Sequence, residues 1–262
     1  MPQDNNLMST NSNSYKSIMK GTAIFGGTQF FAILVNLIRG KLVALFLGPE
    51  GMGISSLMMS SMNTIQQFSS LGLNLSIVKE ISKAKETGKE EKLLLVISIA
   101  RALLRITAII GALFTILFSR FLSNITFGNV DYYWYFILLS IAVFFTTMSN
   151  GELSILQGYR AIKKLAYASI IGSFTGLFVG VPLYYWFGYD AIVPAMIVLS
   201  LVNFLFYRYT SYKLTIKSII FKWKEHSPLI KKMLLLGITL MIASLLGTLA
   251  NYILNTYIGR YG

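Results

Sequence analysis

The chain contains no cysteine and a single histidine, His226, in its 262 residues. Disulfides and thiolate metal sites are therefore excluded. The lone histidine has no His, Cys or Asp cluster beside it and makes neither a metal site nor a catalytic pair. Acids are scarce: ten Asp and Glu face 23 Lys and Arg, a net charge of +13. Within the long apolar stretches the only acid is Glu152. Intramembrane catalysis usually draws on paired acids or histidines, and no phosphate-binding glycine loop or nucleophile elbow is present. The expectation is a protein that is not an enzyme, with no cofactor and no metal.

Apolar residues dominate what is present, at 55% hydrophobic and a mean hydropathy of +0.63. Such values exclude an ordinary soluble domain. Stretches near or above the roughly 20 residues that cross a bilayer recur along the chain. They predict seven spans: Gly21–Leu42, Ile54–Val78, Val96–Ser119, Tyr133–Ser154, Ala166–Phe187, Ala191–Tyr207 and Met233–Ile258. A polar tail, residues 1–15, precedes the first span and is expected to be disordered. No small-residue cleavage site follows it, so the first span reads as a permanent membrane helix.

Basic residues gather at Lys16 and Lys20, in Lys79–Lys92, in Arg160–Lys164 and in Arg208–Lys232, while the alternate connections carry few. This asymmetry places the N-terminus and those segments in the cytoplasm. It also accounts for the net charge without nucleic acid.

Two segments read as one helix written twice. Lys20–Gly51 laid on Lys231–Gly262 matches at Lys20/Lys231, Gly26/Gly237, Thr28/Thr239, Ala32/Ala243, Leu34/Leu245, Gly48/Gly259 and Gly51/Gly262. An even number of spans from one copy to the next makes both enter from the same side, as parallel repeats. The expected organisation is an all-α polytopic membrane protein. A six-helix transporter lobe (16–212) is joined by a cytoplasmic interfacial amphipathic linker (213–230) to the first helix of a truncated second lobe (231–262).

The second span is too polar to face lipid alone. Ser56, Ser60, Asn63, Gln67, Ser70 and Asn74 recur at spacings of four and three, one stripe down one helix face. Unpaired amides in hydrocarbon cost several kcal/mol, so the stripe must face protein or water. Interhelical hydrogen bonding is one account; the wall of a hydrated cavity is favoured. Thr22, Gln29 and Asn36 form a matching face on the first span, with Arg39 one turn from Asn36. The two spans are expected to flank one aqueous space. Gly172, Gly176 and Gly180 form a close-packing ridge for another helix.

Few charges fall within spans. A buried cation costs at least about 2.5–3.5 kcal/mol on insertion scales and is normally paired or hydrated. Lys41 suits snorkelling to headgroups, whereas Arg39 suits a cavity, where a guanidinium can grip phosphate bidentately. Arg101 and Arg105 share a face of the third span; snorkelling and substrate capture both fit them. For Glu152, with Arg160 two turns on, either ion pairing or proton coupling fits.

The stretches GTAIFGGTQFFAILVNLIRGKLVALFLGPEGMG and SILQGYRAIKKLAYASI, with the polar span between them, resemble O-antigen and polysaccharide flippases (Wzx type) of the multidrug/oligosaccharidyl-lipid/polysaccharide exporter superfamily. The resemblance covers essentially the whole chain, as an N-terminal portion. It implies flipping of an undecaprenyl-pyrophosphate-linked oligosaccharide across the bacterial inner membrane by alternating access. Arg39 is similar in position to a cavity arginine of related lipid II flippases. Where those carry basic residues in the second helix, this chain has Gln66 and Gln67, which suits a neutral, sugar-directed lining. Substrate binding is expected from Arg39, Gln29, Asn36, Asn63, Gln67, Asn74, Arg101 and Arg105. The expected partners are a lipid-linked oligosaccharide, membrane lipids, and a second lobe or a glycan polymerase or glycosyltransferase. The competing readings are a drug exporter, which would want acids in its cavity, a non-transporting scaffold of a glycan-assembly complex, and an inactive truncated fragment.

Overall fold

A computed structural model describes the backbone of residues 4–212 and 221–261, and the side chains of residues 26–212 and 221–246. Among the described residues the structure is helical throughout, with no strand. The helices are α1 (Asp4–Ser69), α2 (Leu73–Glu86), α3 (Glu90–Leu117), α4 (Ser119–Phe127), α5 (Tyr133–Gly158), α6 (Ile162–Thr175), α7 (Val181–Phe187), α8 (Ile192–Tyr212) and α9 (Ser227–Tyr261). Among the described residues, five helical runs are long and apolar enough to cross a bilayer. Two of them, Gly26–Ser69 with 44 residues and Ile162–Tyr212 with 51, are each long enough for two crossings.

Each long run is broken where the sequence removes a side chain or a donor. In α1 the single non-helical residue is Gly48, at φ 63 and ψ −174, followed at once by Pro49. Glycine reaches that backbone region without Cβ strain, and proline cannot continue the preceding ladder. Two rods result. Val43 and Leu47 from the first and Met58, Met62 and Ile65 from the second enter one core with Phe136, Leu139, Val143 and Val193. Between α6 and α7 the chain widens into a π-helical segment, Gly176–Gly180. Pro182 follows and removes the amide that would bond back one turn, so the ladder shifts register ahead of it.

Helix α1 begins at Asp4, and no glycine or proline interrupts the chain between Asp4 and Gly21. One sequence expectation is corrected. The second span, expected as one helix over Ile54–Val78, breaks between Ser69 and Leu73, with Leu71 at φ 46 and Gly72 at φ 64. Of the amphipathic linker expected at 213–230, residues 213–220 lie outside the described residues, and 221–226 are a non-helical turn. Its last residues enter α9 at Ser227, with Pro228 in the first turn, where a missing donor has no cost.

The second core occupies the end of the bundle that carries the basic loops. Leu73, Ile77 and Ile81 of α2 pack there with Ile97, Ala100 and Leu104 of α3, Ile155 of α5 and Met233 of α9. The outer faces are greasy: Phe30, Phe31, Leu37, Leu45, Ile110 and Leu117 are all exposed, as suits contact with lipid. Trp134, Tyr185 and Trp186 are exposed at the opposite end, where membrane interfaces concentrate aromatic rings.

Candidate functional site

The break at Gly72 builds the site. Helix α9 runs against α2, and the tightest approach is glycine on glycine at the break between α1 and α2. A Cβ at Gly72 would overlap the Gly237 carbonyl oxygen, and one at Gly237 would lie 2.6 Å from the Leu71 carbonyl oxygen. Below that point Ser76 Oγ donates to the Met233 carbonyl at 2.8 Å. Lys232 Nζ lies 2.7 Å from Glu80 Oε1, with Glu80 buried; the contact is an ion pair without an aligned hydrogen bond.

Past the glycine contact, α9 and the second rod of α1 part. They leave a cavity of about 380 Å³ lined by Asn63, Gln66, Gln67, Ser70, Asn74 and Ser244, with Leu75, Leu240 and Met241 completing the wall. Gln67 Nε2 donates to Ser244 Oγ at 3.2 Å across it. Asn74 keeps a buried Oδ1 with no hydrogen-bond partner among the described residues. An orphaned amide oxygen costs about 1–3 kcal/mol, which a hydroxyl donor entering the cavity would relieve. Amides and hydroxyls on three helix segments, with no charge among them, match the donor and acceptor pattern of sugar hydroxyls.

The structure brings Asn63, Gln67 and Asn74 together on this cavity. Asn74 reaches it from α2, after the break, instead of continuing a single helix face. Ser56 and Ser60 are exposed higher on the rod. Gln66, one residue off the stripe, joins the lining and was not singled out by the four-and-three spacing.

Asn36 and Arg39 face a different neighbour. Asn36 Nδ2 approaches Ser173 Oγ at 3.5 Å. The Arg39 guanidinium lies along the glycine ridge, and a Cβ at Gly176 would stand 2.7 Å from its Nη1. It also acts electrostatically on Tyr184. The ridge is thus a groove for an arginine as well as a helix contact. Gln29 is half-buried earlier on the same rod. The described contacts therefore set the polar residues of the first and second spans against different elements, α6 and α9, where one shared space was expected.

Arg101 and Arg105 separate too. Arg101 is buried and pairs with Glu152, Nε to Oε1 at 3.1 Å and Nη2 to Oε2 at 3.3 Å. Arg105 is exposed and donates from Nε to the Arg101 carbonyl at 3.3 Å. Glu152 does not pair with Arg160. That residue turns at φ 58 and reaches Glu86 at 2.7 Å and Ser82 at 3.1 Å. The second partner of Glu152 is Arg208 of α8, 2.6 Å away. Among the described residues no group of His, Cys, Asp and Glu could hold a metal.

Comparison with known proteins agrees with this architecture. The lipid III flippases of Escherichia coli (strain K12) and Shigella flexneri are each 23% identical to the chain over 189 residues. Each match covers 70% of this chain and 45% of the relative, so it spans about half the length of these curated relatives. No solved structure matches. The Polysaccharide biosynthesis protein family matches residues 18–261, nearly end to end, and this multi-pass membrane protein belongs to that family.

Proposed function

We propose that the chain takes part in flipping a lipid-linked oligosaccharide, carried on undecaprenyl pyrophosphate, across the bacterial inner membrane for O-antigen or polysaccharide synthesis. The observation that carries this reading is the neutral polar cavity between the second rod of α1, α2 and α9, with the unpartnered Asn74 amide oxygen. Asn63, Gln67 and Asn74 hydrogen-bond sugar hydroxyls there. Gln29, Asn36 and Arg39 form a second polar strip in which the guanidinium grips the pyrophosphate, and Arg101 and Arg105 attract it toward the basic loops. The lipid tail stays in the bilayer. Rocking of this lobe against a second one alternates access, with the Gly72–Gly237 contact and the Glu80–Lys232 pair closing the cytoplasmic side.

The family and the two flippase relatives support a saccharide cargo; a drug exporter would want carboxylates in the cavity, and its lining holds none. A non-transporting scaffold is separated by Asn63→Leu combined with Gln67→Leu. Each lost hydrogen bond is worth roughly 0.5–1.5 kcal/mol. Together they should lower flux about tenfold, read as lost surface polysaccharide with accumulation of its lipid-linked precursor. Full surface polysaccharide from a normally expressed double variant would remove the cavity from the transport path and favour the scaffold.

A further inference from the structure

Glu152 is 1% exposed and two guanidiniums converge on it. Arg101 holds both its oxygens, as described, and also donates from Nη2 to Ser211 Oγ at 2.7 Å. Arg208 engages Oε1 through Nη1 at 2.6 Å. Its side chain is 42% exposed, against 9% for Arg101. One turn along α3, exposed Arg105 bonds the Arg101 carbonyl, and both Arg105 and Arg208 act electrostatically on Arg101. On the neighbouring α6, Lys164 reaches the Thr210 carbonyl at 3.5 Å.

A structural pair needs one arginine, and the two-point Arg101–Glu152 contact already supplies it. The cluster holds three guanidiniums and one carboxylate, so two positive charges remain, on the two members that reach the surface. Surplus charge within a membrane helix bundle is costly unless an anion completes it. Two guanidiniums held by their neighbours suit phosphate oxygens.

We propose that Arg208 and Arg105 form a phosphate-binding site at the basic end of α3 and α8, with Glu152 and Arg101 as the residues that position Arg208. The ligand chemistry is a phosphate-bearing anion. It has two sources: the pyrophosphate of a lipid-linked substrate, which rests on the flippase reading, or an anionic bilayer headgroup, which does not. Glu152 is then a fixed counter-charge and not a proton carrier.

The test uses the full chain in nanodiscs of phosphatidylcholine, titrated with inorganic pyrophosphate by calorimetry at fixed ionic strength. Arg208→Gln and Arg105→Gln should each weaken binding about ten- to a hundredfold, as loss of a charge-assisted contact implies. Lys222→Gln, which removes an equal charge from an 80% exposed lysine, should leave it unchanged. Arg208→Lys should restore part of the affinity. Glu152→Asp, which keeps the charge but shortens its reach, should weaken pyrophosphate binding in protein still folded at the titration temperature, checked by its thermal midpoint. Equal pyrophosphate affinity in wild type, Arg208→Gln and Arg105→Gln would overturn the site. So would an equal loss in Lys222→Gln, which marks bulk charge alone. Repeating the titration in phosphatidylglycerol discs assigns the source: binding abolished there means headgroups fill the site, and binding retained means it is kept for a pyrophosphate ligand. Normal flux in Arg208→Gln with pyrophosphate binding lost would uphold the site and detach it from flipping.

Discussion

Arg39 lies on the first rod of α1, one turn from Asn36, and outside the amide-lined cavity. The missing side chains of Gly176 and Gly180 make room for it, beside Tyr184, on which it acts electrostatically. Two roles separate by experiment. If the guanidinium binds cargo, Arg39→Ala should abolish flux while thermal stability and expression hold. If it only packs, stability should fall first. Gly176→Ala offers a finer probe: the added methyl presses on Nη1, the mobile end of a flexible side chain. It should displace the charge without removing it, and flux should fall less than in Arg39→Ala. At this scale the amides of the second span could be read from spacing alone. Arg208, Ser211, Ser244 and Gln66 could not. Their importance comes from what they touch far along the chain, 56 residues away between Arg208 and Glu152 and 110 between Arg101 and Ser211, or from lying just off the stripe. A faint signal for Arg208 existed: an acid inside a span calls for a cation on another span.

At the level of elements, glycines decide where rods end. Gly48 was legible because Pro49 follows it. Gly72 was not: an isolated glycine in a helical pattern is usually tolerated, and SSLGLNLS carries no proline. What makes it break is the close approach of α9, whose Gly237 carbonyl fills the space a side chain would take. Gly72→Ala should be severe. A left-handed conformation costs a non-glycine residue roughly 1–2 kcal/mol, and the methyl cannot move away from backbone atoms. The expected outcome is separation of α9 from α2, measured as loss of a crosslink between cysteines placed at Ser76 and Met233. An intact crosslink in Gly72→Ala would show that the glycine contact does not hold the helices together. The Gly26 that matches Gly237 in the repeat has open space around it, so the two copies share a pattern without sharing a neighbour among the described residues.

At the scale of the whole molecule, charge and aromatic rings mark the two ends. Basic residues cluster where α2, α3 and α9 meet, and exposed Trp134 and Trp186 mark the other end. The absence of cysteine makes orientation directly testable, because a single introduced thiol is the only one to label. A cysteine replacing exposed Lys85 should react only after the inner face is opened to a membrane-impermeant maleimide. One replacing exposed Asn129 should react in intact cells. The reverse pattern would invert the topology and move the Glu80–Lys232 pair to the outer side.

By itself the sequence determined the class, the polarity of the second span and the family. Each is a property of local composition or of periods of three to four residues, which one stretch of chain expresses without its neighbours. Only the tertiary structure decided that α9 meets the break between α1 and α2 at a glycine, that Arg39 lies against the π-helical segment after α6, and that Glu152 takes Arg101 and Arg208 over Arg160. These are choices among several chemically equivalent partners, and packing geometry, not residue type, selects between them.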